Sequence, residues 1–496
     1  MSLTACGSDD SANTQSGQSG VASSSSKEKL VLGRSNDIEG WDPSNQPGYQ
    51  GWAGEAVWDT LVKCDATAQL EPDIAESWEI SEDNKTFTGH IREGIKFSDG
   101  SPLTSEDVAA TFQFVGDNGG AAGDYAGITT ETPDDNTIVI TWPEPQALIR
   151  TKTCAPKITS KALIDSGNVN DVPVGSGPYV LDTDNTTRGS IYAFTKNQDH
   201  WNADHYPYEQ LEIRVIPSET GMVSALKTGQ INGALVAESS LPEIEASDLS
   251  VARFNGQTTR LLLTDHNGEI IPELGDLKVR QAINMVFDKD AMVESLFGGN
   301  AVPTAQVFRE GSEAYIEGLE DPYPFDVEKA KKLMSEAGFA DGFTIQLPTM
   351  EGMNFETTLP YVSQQLSELN ITVEEVPLTG ANAIDDLLSG KYPVVFWPLG
   401  NLGESKQQIY VEMSEEGYWN LEHQHDDYVD SRWSKMPDAT PEEAVQLQQE
   451  INQYVVDQAW FAPMVYNGTY YAHSADVSIP TESDIEALAP KLRDFQ

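Results

Sequence analysis

Twice along this chain an alternating or apolar strand is followed by an amphipathic helix and then by another short strand. That order is hard to satisfy outside an α/β sheet. The first unit runs from the alternating segment 209–217 (EQLEIRVIP) through a helical stretch at 220–228 to Ala234-Leu235-Val236. The second comprises a strand at 345–347, a helix at 355–369, a strand at 371–376, a helix at 382–388 and a strand at 394–397. Two units in separate halves of the chain predict two α/β sheets, the later one within residues 255–465. The 496 residues leave room for both, as about three units of roughly 150 residues or two large lobes.

Smaller signals fill in the pattern. Leu30-Val31-Leu32 begins regular structure, and Trp41-Asp42-Pro43-Ser44 breaks it into a Gly- and Gln-rich loop. Residues 55–62 read as a helix with Ala56, Val57 and Leu61 on one face. Residues 85–91 alternate after the turn pair Asp83-Asn84. Thr104 with Asp107 three positions on predicts a capping box opening a helix through Val108 and Phe112. Residues 441–456 carry Ala444, Leu447, Ile451, Tyr454 and Val455 on one stripe. Nothing repeats at a fixed period, which argues against a solenoid.

Charge and motifs then exclude whole classes of function. Lys plus Arg number 30 against 79 Asp plus Glu, a net charge of -49, and such a surface repels phosphate backbones. No run approaches the roughly 18 apolar residues of a membrane span. A GxxxxGK[ST] loop, a GxSxG elbow and an HExxH pair are all missing, and Gly175-Ser176-Gly177 has the wrong spacing for an elbow. Glu422-His423-Gln424-His425-Asp426-Asp427 offers metal-ligand types, but a solvated polar loop is the better account of it, and no metal is assigned. The sequence reads as a non-enzyme without a cofactor. Its 10 Trp and 17 Tyr are more informative. Trp41, Tyr49, Trp52, Trp397 and Trp419 stand in Gly- or Pro-rich loops, where α/β sheets bind ligands. Facing loops of this kind would form a large, mostly apolar cleft.

The N-terminus speaks to location. Leu3-Thr4-Ala5-Cys6 resembles the lipobox of bacterial lipoproteins, in which the cysteine becomes lipidated, and residues 7–29 have flexible-linker composition. With Cys6 assigned to lipid, Cys64 and Cys154 remain as a pair. An extracytoplasmic setting lets them bridge, and two buried free thiols is the alternative.

The body of the chain after residue 30 resembles the extracytoplasmic solute-binding proteins of ATP-driven importers, the family of oligopeptide, dipeptide and nickel binders. Glu71-Pro72-Asp73-Ile74-Ala75-Glu76-Ser77-Trp78 carries one of its elements. The segment 92–100 (REGIKFSDG) followed by 103–108 (LTSEDV) carries its most specific one. Gly175-Ser176-Gly177-Pro178-Tyr179, Ala225-Leu226-Lys227-Thr228-Gly229, 278–284 (KVRQAIN), 326–333 (DVEKAKKL) and Ala337-Gly338-Phe339 follow in order. The resemblance implies a two-lobed periplasmic-binding-protein-like α/β fold, of the large three-subdomain variant, with a hinge between the lobes. Lobe I takes 30–254 plus 466–496, with an inserted subdomain at about 60–172, and lobe II takes 255–465. It also implies a monomeric, lipid-anchored receptor outside the cell membrane that captures a small solute, a peptide first of all, and delivers it to an ABC permease. An oligosaccharide receptor stacking sugars on Trp41, Trp52, Trp397 and Trp419 is the second reading, nickel or another small solute the next, and a secreted hydrolase the most distant. Arg92, Lys96, Asp99 and Arg280 are assigned to the scaffold.

For the site, the resemblance points to Gln46, Tyr49, Gly51 and Trp52 in the loop after the first strand and to Leu148 at the start of 148–155. In lobe II it points to Trp397, Gly400, Asn401, Glu404 and Trp419. Peptide binders of the family commonly hold an aspartate three residues beyond the tryptophan, facing the ligand's α-ammonium group. Here that position is Gly400, and Glu404 is the expected replacement.

Overall fold

The computed structural model describes residues 27–496 apart from 39, 45–50, 66–67, 119–121, 320, 351–354, 380–382, 401–403 and 480–488. The chain opens with β1 (Lys27–Arg34), then β2 (Val62–Cys64), β3 (Leu70–Pro72), β4 (Ala75–Ile80), β5 (Thr86–Ile91), β6 (Thr129–Asp134) and β7 (Thr137–Thr141). Next come β8 (Tyr179–Thr187), β9 (Ile191–Lys196), β10 (Tyr208–Val215), β11 (Gly233–Val236) and β12 (Ser250–Leu263). The later strands are β13 (Ala301–Pro303), β14 (Thr344–Met350), β15 (Thr372–Leu378), β16 (Val394–Gly400) and β17 (Phe461–His473).

One nine-stranded sheet runs β16-β12-β17-β11-β1-β10-β9-β8, with β13 added against β17. The alternation at 209–217 works as expected. Leu211 and Ile213 are fully buried and lie across from Leu30 and Leu32 of the parallel neighbour β1. From β10 the chain crosses by the helix Glu219–Lys227 to β11, and β1 fills the place between them.

Buried side chains gather around three large centres. One holds Leu30, Trp41, Trp58, Phe194, Ile213 and Tyr471, and a satellite cluster is built on Met222 and Leu226. Another holds Leu61, Phe87, Phe112, Ile140 and Ile158. The largest extends from Leu261 to Val465. The second centre lies on a four-stranded antiparallel sheet, β4-β5-β7-β6, covered by the helix Ser105–Asp117. The N–H of Thr104 donates to Asp107 Oδ2 at 2.9 Å, so the predicted capping box closes the start of that helix. Cys64 and Cys154 are joined by a disulfide, Cα to Cα 5.8 Å, which ties β2 to the helix Ile149–Cys154.

The later half departs from the expectation of its own α/β sheet. β14 and β15 form only a two-stranded parallel pair, while β16 runs antiparallel to β12 in the large sheet. The reason is the length of β12: its 14 residues pass from the first core to the largest one and offer an edge in both. β17 accompanies it, with register shifts between Phe254 and Gln257 and between Thr259 and Arg260. Opposite the first shift stands Gly468, where a Cβ would lie 2.9 Å from Arg253 Nε and 3.0 Å from Phe254 O. A side chain there would force the Arg253 side chain aside and crowd the Phe254 carbonyl.

Just past the second shift, Arg260 is wholly buried and bonded through Nη2 to the buried Glu412 on the helix Ser405–Met413. Its guanidinium also lies 5.5 Å from the ring centre of Phe461. Arg280, assigned to the scaffold, donates to the carbonyls of His266, Leu274 and Gln458, holding three loops together.

Candidate functional site

The body built on the β4-β5-β7-β6 sheet and the body of the largest core meet across a gap. On one side the helix Ile149–Cys154 presents Thr151 and Lys152, with the segment 144–148 before it. On the other stands the helix Ser405–Met413, with Glu404 at its N-cap and Tyr410 one and a half turns in. Thr151 Oγ1 donates to Glu404 Oε1 at 2.9 Å, and Asn84 Nδ2 donates to the carbonyl of Pro437 at 2.8 Å. Both bonds cross from one body to the other.

Between these contacts lies a cavity of about 520 Å³, walled by Ala147, Leu148 and Lys152 on one side and Tyr410, Glu416 and Trp433 on the other. Tyr410 stacks on Trp433 at 5.6 Å, and Lys152 Nζ lies 5.7 Å from the Tyr410 ring centre. Lys152 also pairs with Asp124 at 3.2 Å and donates to Gln146 Oε1 at 2.7 Å. Burial, with Asp124 nearby, holds the Tyr410 phenol far above its ordinary range, so it stays a neutral donor. The gap thus combines flat aromatic faces with charged groups, Lys152 on one wall and Glu144, Glu416 and Asp438 around it, a lining suited to a solute that carries both apolar and polar parts.

The expected site residues fall into distinct places. Leu148 lines the cavity. Trp397 stands within a packed row, between Phe355 at 5.6 Å and Trp419 at 5.9 Å, and only 6% of it is exposed. Gly400 closes β16 opposite Gln257, beside the first register shift. Gly51 begins the helix Gly51–Val57 and is exposed. Gln46, Tyr49, Asn401 and the lipidation candidate Cys6 lie outside the described residues.

Trp52 and Trp41 need correction as stacking faces. The Trp52 indole donates to the carbonyl of Pro490 at 2.7 Å and packs edge-on to Tyr471 and Phe495. Trp41 is buried among Trp58, Tyr192 and Phe194. Both rings spend their faces on the first core.

Glu404 also differs from expectation. Its Oε1 accepts from Thr151 and its Oε2 lies 3.3 Å from Lys406 Nζ. A carboxylate already matched by an ammonium and a cross-gap hydroxyl is not a vacant partner for a ligand's amino group. It works here as a link between the bodies. Sequence reasoning reached Thr151 and Lys152 only as part of the segment 148–155 and missed Tyr410 and Trp433, because nothing in their local pattern says which body they will face.

A second cavity, about 630 Å³, lies away from the gap and is lined by Lys63, Trp201, Tyr206 and Arg493. Its cations are already engaged, Lys63 with Asp73 at 3.0 Å and Arg493 with Glu71 at 2.8 Å.

The comparisons with known proteins agree with this architecture. The sequence pattern of bacterial extracellular solute-binding proteins, family 5 (middle region), matches residues 69–417. Protein XP55 of Streptomyces lividans is 26% identical over 435 residues, covering 81% of this chain and 77% of that protein. Among solved structures, AgaA of A. tumefaciens R10 in complex with agropinic acid superposes with a TM-score of 0.83 at 23% identity, covering 94% of this chain and 98% of that one. DppA of Helicobacter pylori, bound to the peptide STSA, gives 0.82 at 21% identity over 94% and 98%. At these identities the superpositions establish the fold, which is two-lobed.

Proposed function

The chain belongs to the bacterial extracellular solute-binding proteins of family 5, and from that premise we propose that it captures a peptide between its lobes and delivers it to an ABC permease. Lobe I comprises 30–254 and 466–496 with an inserted subdomain at about 60–172, lobe II comprises 255–465, and Cys6 carries the lipid that keeps the receptor at the outer face of the membrane. The observation that carries the reading is the gap bridged by Thr151 and Glu404 beside a cavity with walls from both bodies.

The mechanism is a shift of population. Two strands, β12 and β17, connect the lobes, and their pairing is interrupted between Phe254 and Gln257. Bending is easiest where the ladder lacks regular hydrogen bonds. A solute touching both walls gains its full contact only in the closed form, and that difference in affinity draws the lobes together. Aromatic and apolar walls with backbone groups supply the affinity.

Because Glu404 is engaged by Lys406 and Thr151, and the other acids lining the cavity, Glu144, Glu416 and Asp438, are exposed to solvent, the reading further holds that no buried carboxylate awaits the peptide's amino terminus. The test is titration calorimetry with matched free and N-acetylated peptides and a panel of oligosaccharides. Peptides should bind, and acetylation should change Kd by less than about tenfold, since no ion pair worth several kcal/mol is broken. Binding confined to sugars, or lost on acetylation, contradicts the proposal.

A further inference from the structure

Outside the gap, on the surface of the largest body, one cluster remains that the function above does not use. Nδ1 of His425 lies 3.1 Å from Glu415 Oε2 and 2.8 Å from Asp430 Oδ2. One donor atom from each of the three residues lies within 4.8 Å of the others. The other ring nitrogen, Nε2, lies 3.1 Å from Asp427 Oδ1.

We propose that Glu415, His425 and Asp430 form a site for a divalent transition-metal ion, with Asp427 as the carboxylate that orients the imidazole. The sequence reading assigned this segment to a solvated loop, and the folded geometry carries the assignment further. With Asp427 accepting from Nε2–H, loss of the Nδ1 proton to an incoming ion turns that nitrogen's lone pair toward two carboxylate oxygens. Three lone pairs then converge on one point, with Asp430 Oδ2 keeping another for the backbone N–H of Asp426 at 2.9 Å, in a chain of net charge -49. Among the described residues, neither Glu415 nor Asp430 has an ion pair with any lysine or arginine.

A proton on Nδ1 relieves the conflict only in part, because a single N–H aims at one oxygen at a time. A metal ion roughly 2.0–2.2 Å from each donor takes all three lone pairs together and offsets both charges. The donor set narrows the ion. One imidazole with two carboxylates suits zinc, nickel or cobalt, whereas magnesium and calcium favour oxygen ligands throughout. Three protein ligands leave a position for water. His425 is 57% exposed at its side chain, so the ion has a direct path in.

The site sits where it matters to the gap. Glu415 precedes Glu416, which lines the interlobe cavity, and the segment 414–426 carries Trp419, which packs on Trp397. Asp430 belongs to the helix Asp427–Trp433, whose last residue walls the same cavity. An ion would pin the loop to the helix and stiffen that wall.

The test uses the full, untagged chain after chelator treatment, with zinc chloride as probe. Calorimetry should give one zinc per chain, and bound zinc should raise the unfolding temperature. Asp427→Asn should weaken binding by about 10–100-fold, the usual cost of losing an orienting carboxylate, and His425→Ala by more than that. His423→Ala should leave it unchanged, because among the described residues that ring bonds the backbone carbonyl of Glu415 and none of the proposed ligand atoms. Glu415→Gln serves as a second ligand variant, and circular dichroism checks that each variant is folded. Absence of zinc binding, or equal binding by His425→Ala and Glu415→Gln, overturns the proposal, and so does saturation by magnesium at the same concentration.

Discussion

Replacing Glu412 by leucine should cost about 3–5 kcal/mol of unfolding free energy, one of the two largest losses expected from changes in this protein. The carboxylate is the buried partner of Arg260, whose side chain is 1% exposed. An arginine cannot shed its proton, so removing the acid leaves a full positive charge in the core. Burial pushes the Glu412 carboxyl above its ordinary range while Arg260 opposes that shift. The two single variants should therefore be unequal. Arg260→Met costs less, because the stranded carboxyl takes up a proton and becomes neutral. In the double variant Arg260→Met/Glu412→Leu no charge is stranded, and most of the loss should be recovered. Urea unfolding of the three variants measures this ordering. Equal costs for both single variants, with simple additivity in the double, would show that the pair is not what holds these groups in place.

Removing the disulfide should have a comparable effect. Cys64 and Cys154 lie 90 positions apart, and a bridge that closes so long a loop restricts the unfolded chain by about 4–5 kcal/mol in the chain-entropy account. The loss should concentrate in the inserted body, because both ends of the bridge belong to it. That body also supplies Thr151, three residues before Cys154 on the helix Ile149–Cys154. The Cys64→Ser/Cys154→Ser variant should thus unfold earlier and bind solute more weakly. Hydrogen exchange should show faster opening over 61–158 while β14 and β15 stay protected. Uniform loss of protection across both bodies would contradict the view that they fold around separate cores.

Much of the scaffold was legible because its signals are local. Thr104 and Asp107 lie three residues apart and meet across one helical turn. Leu30, Leu32, Leu211 and Ile213 announce their buried face by alternation alone. The ordered motifs from Glu71 to Phe339 marked a family whose pattern spans 69–417.

What stayed hidden depends on partners far along the chain. Residues 394–397 are buried on both faces, and such a strand states its burial without stating its neighbour. Its pairing with β12 follows from a 14-residue strand whose two ends serve different cores. Trp41 and Trp52 read as exposed rings because Gly- and Pro-rich loops surround them, yet both turn inward. Glu404 looked vacant because Thr151, its partner at 2.9 Å, is 253 positions away.

If β12 and β17 form the hinge, the lobes close on a solute. Small-angle X-ray scattering of the purified protein, with and without a saturating peptide found by calorimetry, tests that closure most directly. The account predicts a smaller radius of gyration with peptide bound. Identical scattering curves at saturation would contradict it.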